Sequence, residues 1–231
     1  MDQIPPLRII AHIRTDFTEK FGIPRQSGLV DCLRAEIVFE PEYRDANAFR
    51  GLEGYSHIWL LWQFSEAIRE NWHPMVHPPR LGGNTLMGVF ATRSPFRPNA
   101  IGLSSVRLEE ITTGPEGPVL IVSGADLMNG TPIYDIKPYL PYTDSHPDAV
   151  GGFSDRFVDY GLEVFFPPEL LKIIPESRRE ALLGVLRQDP RPSYQNDPWR
   201  RYGFQFAGFD VRFHVRENVL TVCEVVPLPK G

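Results

Sequence analysis

The stretch Pro78 to Leu108, PPRLGGNTLMGVFATRSPFRPNAIGLSSVRL, constrains this chain more than any other. It opens as a loop at Pro78-Pro79-Arg80-Leu81-Gly82-Gly83-Asn84. The short apolar run Leu86 to Ala91 is long enough for one buried strand. Thr92 to Asn99 then turns and holds two arginines, Arg93 and Arg97, before a second strand-like run from Ile101 to Leu108. A loop held between strands is where binding groups usually sit. Gly82, Gly83 and Gly102 allow sharp turns or close backbone approach. The planar forks of Arg93 and Arg97 suit a carboxylate or phosphate.

The flanking chain reads as short strands. Leu7 to Ile13 is apolar and β-branched. Lys20 to Val30 is a loop with Arg25 and Gln26 at its centre. Leu33, Ala35, Ile37 and Phe39 alternate with polar neighbours, as in a half-buried strand. Pro41 to Phe49 reads as a short helix. His57 to Phe64 is nearly all apolar or aromatic and predicts a central strand buried on both faces. Val119 to Ser123 and Pro132 to Ile136 are further strands around a turn at Asn129-Gly130. With these the first 145 residues are read as about eight or nine strands, which predicts a barrel or rolled sheet.

Ser145 to Tyr160 is a linker rich in Gly, Pro, Asp and Ser. Beyond it lie a strand over Leu162 to Phe166 and helical spacing over Glu169 to Leu186, divided by Pro175. A terminal hairpin follows, with alternation at Phe209, Val211, Phe213 and Val215 and a return from Val219 to Val226. The expected fold is therefore mainly β. It has a single β-barrel N-terminal domain over residues 1–145 and a small α+β C-terminal subdomain over 146–231.

Charge and cysteines narrow the function classes. The net charge of −5 argues against indiscriminate nucleic-acid binding. Of 24 basic residues, 20 are arginine, a bias that suits local RNA contact and also follows from a GC-rich genome. Arg97, Arg187, Arg191, Arg200 and Arg201 are candidates for such a face. Cys32 and Cys223 stand far apart and in no metal-ligand spacing, which fits a reducing compartment. His73 and His77 are four apart, but Pro74 and Pro78 oppose a helix there and no third ligand stands out, so no metal is expected. Leu7 to Ile13 is too short for a signal peptide and is interrupted by Arg8 and His12. No run approaches the roughly 18 apolar residues of a membrane span. A cytoplasmic protein with no membrane association is expected. No dinucleotide, P-loop or nucleophile-elbow motif occurs.

Five ordered blocks carry a more specific signal: KFGIPRQSGLV (20–30), RGLEGYSHIWLLWQF (50–64), PPRLGGNTLMGVFATRSPFRPNAIGLS (78–104), DLMNGTPIYDIKPYLPY (126–142) and QDPRPSY (188–194). Together they resemble the TrmO (TsaA-like, YaeB) family of tRNA methyltransferases. The resemblance implies a β-barrel enzyme, working as a homodimer, that uses S-adenosylmethionine to methylate N6 of N6-threonylcarbamoyladenosine next to the tRNA anticodon. Carried over by motif, the cofactor would meet Pro24, Arg25 and Gln26, then Ser65 and Glu66, then Arg93 and Leu103, and lastly Asp126, Leu127, Met128 and Asn129.

The family pattern has His-Gln where this chain has Ser65-Glu66, and Asp where it has Asn129. Those departures motivate an alternative, a non-catalytic S-adenosylmethionine sensor or RNA-binding module. Arg25 and Arg93 could pair with the methionine carboxylate or with the threonine carboxylate of the modified base. No base is identified, and the candidates for catalytic roles are Arg93, Asp126 and Asp135.

Overall fold

The computed structural model describes residues 6–82, 84–191 and 197–229. Gly83 of the central loop and Pro192-Ser193-Tyr194 of the last block lie outside the described residues. Eight strands fall within the first 145 residues: β1 (Ala11–Arg14), β2 (Arg34–Phe39), β3 (His57–Gln63), β4 (Met75–Val76), β5 (Met87–Gly88), β6 (Ile101–Gly114), β7 (Gly117–Ser123) and β8 (Pro132–Pro138). Six of them join in the order β1-β2-β7-β6-β3-β8, and β8 pairs back onto β1, so the sheet closes on itself. Every pairing in the ring is antiparallel. The inward positions of the alternating strands fill it: Ile13, Ile37, Ile58, Leu60, Val106, Leu120, Val122 and Ile133 are almost wholly buried.

Three local expectations are corrected. β3 is not buried on both faces. Ile58, Leu60 and Trp62 point into the core while His57, Trp59, Leu61 and Gln63 stay half-exposed, because the closed sheet has only one interior. Leu86 to Ala91 does not form a buried strand. Only Met87 and Gly88 pair, with β4, and Val89–Ala91 is a 3-10 turn that buries Val89 and leaves Phe90 73% exposed. Pro41 to Phe49 splits into two 3-10 turns, Pro41–Tyr43 and Ala46–Phe49, the second opened by an Asp45 carboxylate that accepts from the Asn47 N–H.

After the short helix α1 (Pro141–Asp144) and a 3-10 turn at Gly152–Phe157, the chain builds a second unit. It comprises β9 (Glu163–Phe165), α2 (Pro168–Leu171), α3 (Glu176–Arg187), β10 (Tyr202–Phe206), β11 (Phe209–Arg216) and β12 (Val219–Pro227). The sheet order is β10-β11-β12-β9, with the expected hairpin as β11 and β12. Pro175 does separate two helices. β10 was missed in the sequence although Tyr202, Phe204 and Phe206 alternate with Gly203 and Gln205. Leu182, Val185 and Leu186 of α3 pack against Phe204, Phe206, Val211 and Leu220. Among the described residues, no helix is long and apolar enough to cross a membrane.

The segment between β1 and β2 leaves the first sheet and docks on this second unit. Phe17, Val30 and Leu33 belong to the second core. Ala207 N–H donates to the Asp16 carbonyl at 2.9 Å, and Arg178 pairs with Asp16 at 3.1 Å. Gln205 N–H donates to Glu19 Oε1 at 2.9 Å. Gly22 lies against the Phe204 ring, where a Cβ would stand 2.3 Å from Cδ2, and its φ of +85° is one that L side chains rarely adopt. The loop bearing Pro24, Arg25 and Gln26 therefore takes its position from the C-terminal sheet.

Candidate functional site

A polar relay starts inside the closed sheet. Trp62 on β3 is register partner to Gly102 on β6, and its indole occupies the space a Cβ at Gly102 would need. Trp62 Nε1–H donates to Ser104 Oγ at 3.0 Å, and Ser104 Oγ–H donates to Asp126 Oδ1 at 2.6 Å. The carboxyl of Asp126 is pushed up by burial, partly offset by the bond from Ser104, a bond to its own backbone, the Arg93 charge and a backbone bond from Ser27.

Two loops meet this carboxylate. Arg93 donates through Nη1 to Gln26 Oε1, and Gln26 Nε2–H donates to the Arg25 carbonyl. The Arg93 loop is braced from within: Thr92 Oγ–H bonds the Val89 carbonyl, and Arg97 Nη1 bonds the Thr92 carbonyl at 3.0 Å. Arg97 thus turns back into its own loop. Gly28 N–H donates to the Gly124 carbonyl, and Gly124 N–H to that of Leu33, which ties the 24–28 loop to the end of β7. Gln26, Arg93 and Asp126, far apart in sequence, come together at one end of the closed sheet, and Pro24 of the same loop is buried.

The other expected residues are placed differently. Ser65 and Glu66 are exposed just past β3, and Glu66 pairs with Lys20 at 3.2 Å, at the start of the 20–30 loop. Leu103 lies on the outer face of β6, 53% exposed and opposite in direction to Ser104. Leu127 is buried in the core of the closed sheet, and the Met128 carbonyl accepts the Thr131 hydroxyl. Asn129 Oδ1 accepts the Thr15 N–H at 3.1 Å, so its side chain fastens the chain leaving β1. Asp135 pairs with Lys137 at 2.9 Å, aligned in register with Leu61 and Leu103 across β8, β3 and β6. Of the candidates for catalysis, Arg93 and Asp126 come together and Asp135 stands apart.

A second cluster was not anticipated. The Arg25 guanidinium faces away from Arg93 and donates to the Arg191 carbonyl at 3.5 Å. Arg191 grips Asp189 through Nε at 2.7 Å and Nη2 at 2.9 Å, and the Tyr160 hydroxyl donates to Asp189 Oδ2 at 2.6 Å. Burial pushes the Asp189 carboxyl up, but the Arg191 and Tyr160 bonds and the Arg191 charge outweigh it and hold it below its ordinary value. Arg80 lies over the rings of Phe157 and Tyr160 and donates to the Phe157 carbonyl at 3.1 Å. The sequence signal was Asp189-Pro190-Arg191 in the last block. Of the arginines expected on an RNA face, Arg191 is thereby buried in an ion pair. Arg201 pairs with Glu224 at 3.6 Å, Arg200 lies 5.6 Å from the centre of the Tyr202 ring, and Arg187 is exposed.

A closed antiparallel sheet with Arg93, Gln26 and the buried Asp126 carboxylate at one end puts this chain in the class of closed-sheet β proteins, outside the parallel α/β cofactor folds. Comparison with known proteins places it within that class. The family model for the tRNA-methyltransferase O N-terminal domain matches residues 12–145, and that for the TrmO C-terminal domain matches residues 161–228. The chain belongs to the TrmO family. It is 41% identical over 226 residues to the tRNA (adenine(37)-N6)-methyltransferase of Escherichia coli K12, covering 94% of this chain and 96% of that protein. It is 42% identical over 225 residues to a Pseudomonas aeruginosa protein named as the S-adenosylmethionine-dependent methyltransferase RcsF, covering 94% and 95%. A crystal structure of TrmO from Pseudomonas aeruginosa superposes with a TM-score of 0.76 at 35% identity, over 97% of this chain and 100% of that one.

Proposed function

We propose that this protein is an S-adenosylmethionine-dependent tRNA methyltransferase that methylates N6 of adenosine 37, in its threonylcarbamoylated form. The convergence of Gln26, Arg93 and Asp126, within a chain so similar to named tRNA (adenine(37)-N6)-methyltransferases, carries the reading. The donor set fits the cofactor. A guanidinium can bind its carboxylate, a buried carboxylate its ammonium or ribose hydroxyls, and an amide its adenine edge. Pro24, the backbone of Arg25, Gln26, Arg93 and Asp126 would hold it. When bound, it supplies an electrophilic methyl carbon.

The remaining catalysis falls to positioning, which can contribute roughly 7–11 kcal/mol. Asp126 is the proposed proton acceptor for N6–H, because burial raises its carboxyl and it lies beside Arg93. Asp135, neutralised by Lys137, is assigned no such part. Ser65, Glu66, Leu103, Leu127, Met128 and Asn129 stay assigned to the margin of the cofactor site, with Glu66 and Asn129 acting through the segments they tie down.

The closed sheet is taken as a β-barrel catalytic domain over 1–145 and the rest as a small α+β subdomain. The protein is read as cytoplasmic and homodimeric. The exposed Ile101 and Leu103 on the outer face of β6 support the dimer, as an apolar patch that a second copy would cover.

The test is transfer of labelled methyl from S-adenosylmethionine to tRNA from cells lacking this enzyme, followed by nucleoside analysis. Methylated threonylcarbamoyladenosine is the expected product. Arg93→Ala should lower kcat/KM roughly 10- to 150-fold, the worth of hydrogen bonds to a charged group, with the fold intact. Cofactor binding without transfer to any tRNA would establish the sensor reading instead.

A further inference from the structure

Arg25, Arg80, Asp189, Arg191 and Tyr160 come from four separate segments and meet beside the Arg93 pocket. Arg25 is the link between the two places, since its carbonyl takes the Gln26 amide that Arg93 engages. The cluster holds three guanidiniums and one carboxylate. Arg191 already neutralises Asp189 through two bonds, and Tyr160 fills the second carboxylate oxygen. Arg25 and Arg80 are left without a carboxylate partner among the described residues. Each guanidinium has five N–H donors. Arg25 uses one, at 3.5 Å, and Arg80 uses one, at 3.1 Å.

Their environment makes this costly. Arg25 is half-buried, and burial together with the Arg80 charge disfavours its cation, which the Asp189 and Tyr160 charges only partly offset. Arg80 is half-buried, backed by Phe157 and Tyr160, and anchored through Nη1 on the Phe157 carbonyl. Three guanidiniums share the one Asp189 carboxylate, so the cluster keeps an excess of positive charge partly out of water that an anionic group would offset. Two rigid forks with spare donors match an oxyanion in geometry as well as charge.

We propose that Arg80 and Arg25 form an oxyanion subsite beside the Arg93 pocket, which grips an anionic group of the RNA substrate, a carboxylate or a phosphate. Arg80 is thereby a substrate-specificity residue. The identity of that substrate rests on the reading of the protein as a tRNA methyltransferase. A carboxylate on the reacting base sets which adenosine is accepted, whereas a phosphate sets only how the RNA strand is held.

The test uses the full chain as wild type, Arg80→Gln and Arg80→Lys. Each is titrated with tRNA carrying the threonylcarbamoyl group and with the same tRNA lacking it, and with S-adenosylmethionine alone by calorimetry. Arg80→Gln is expected to weaken binding of the modified tRNA roughly 10- to 100-fold, as for a lost bond to a charged group, while cofactor affinity stays at the wild-type value. Little change with the unmodified tRNA identifies the carboxylate as the ligand. Equal weakening with both tRNAs, and a salt slope shallower by about 0.7, identifies a phosphate.

Arg80→Lys, which keeps the charge and can still reach the Phe157 carbonyl, should recover part of the loss. Unchanged binding of both tRNAs by Arg80→Gln overturns the proposal. So does a parallel loss of cofactor and tRNA affinity in both variants, which would make Arg80 a structural brace. A wild type that binds tRNA but transfers no methyl would sink the enzymatic reading alone, because the binding arm does not depend on turnover.

Discussion

Replacing Gly102 by alanine tests whether the approach of Trp62 to β6 builds the catalytic end. A Cβ at residue 102 would stand 2.2 Å from Trp62 Cε2 and 2.4 Å from Cζ2, closer than any real contact. The indole has little room to retreat, because Trp62 is buried and Phe64 packs on it at 4.2 Å between ring centres. Overpacking of this kind costs about 1–3 kcal/mol. Moving the ring also stretches the Nε1–H bond to Ser104, worth about 1 kcal/mol. Alanine recovers about 0.5–1 kcal/mol because glycine is entropically unfavourable in a strand. The net expectation is a loss of about 1–3 kcal/mol.

Gly114→Ala at the far end of the same strand is the control. Its Cβ would meet nothing nearer than Val119 Cγ2 at 3.7 Å, an ordinary contact. Urea unfolding with a shared m-value gives both differences. Methyl transfer by Gly102→Ala should fall by about a hundredfold, as a misplacement near 1 Å can cost. The reasoning is refuted if the two variants unfold at the same urea concentration, or if Gly102→Ala is destabilised while its turnover stays that of the wild type.

Asp126→Asn should lower turnover by roughly 10²–10⁴, the range for a lost general base, while raising thermal stability at neutral pH. The sign follows from its raised carboxyl: the stability Asp126 contributes is complete below the ordinary carboxylate pKa and is lost as pH rises through the folded value. Melting midpoints from pH 4 to 8 should show the variant's advantage appear only on the alkaline side, and a constant difference would count against the assignment. Asp189→Asn should behave oppositely. Asp189 has φ +53°, which asparagine tolerates, so the change removes charge without adding backbone strain. Uncoupling Arg191 costs on the order of 3 kcal/mol at neutral pH. That margin should vanish as pH falls through the depressed carboxyl value, and acid titration followed by circular dichroism measures it.

The strands read from alternation, β2 and β11, were legible because one face of each meets a core and the other meets water. β3 was misread as buried on both faces because aromatic side chains such as Trp59 can sit half-exposed. Trp59 does so by donating to Asp144 at 2.8 Å, a partner 85 residues away. The closure of the sheet depends on β8 pairing with β1 across more than a hundred residues, and no local pattern encodes such a pairing.

The same distinction applies at the site. Gln26 and Arg93, which the ordered blocks assign to one site, are in contact, since each carries its loop chemistry locally. The direction of Arg25, toward Arg191, is set by how the 16–33 segment lies on β10. Arg178 with Asp16, Gln205 with Glu19, and Phe204 with Gly22 make that contact. A change in the C-terminal sheet is therefore expected to reach the Asp126 end of the closed sheet through this segment without touching Gln26, Arg93 or Asp126. The second unit is for that reason part of the machinery of the first. Its arginine-rich cluster and the Asp126 pocket share a single strip of chain, Pro24 to Gln26, with one group of each on either side of it.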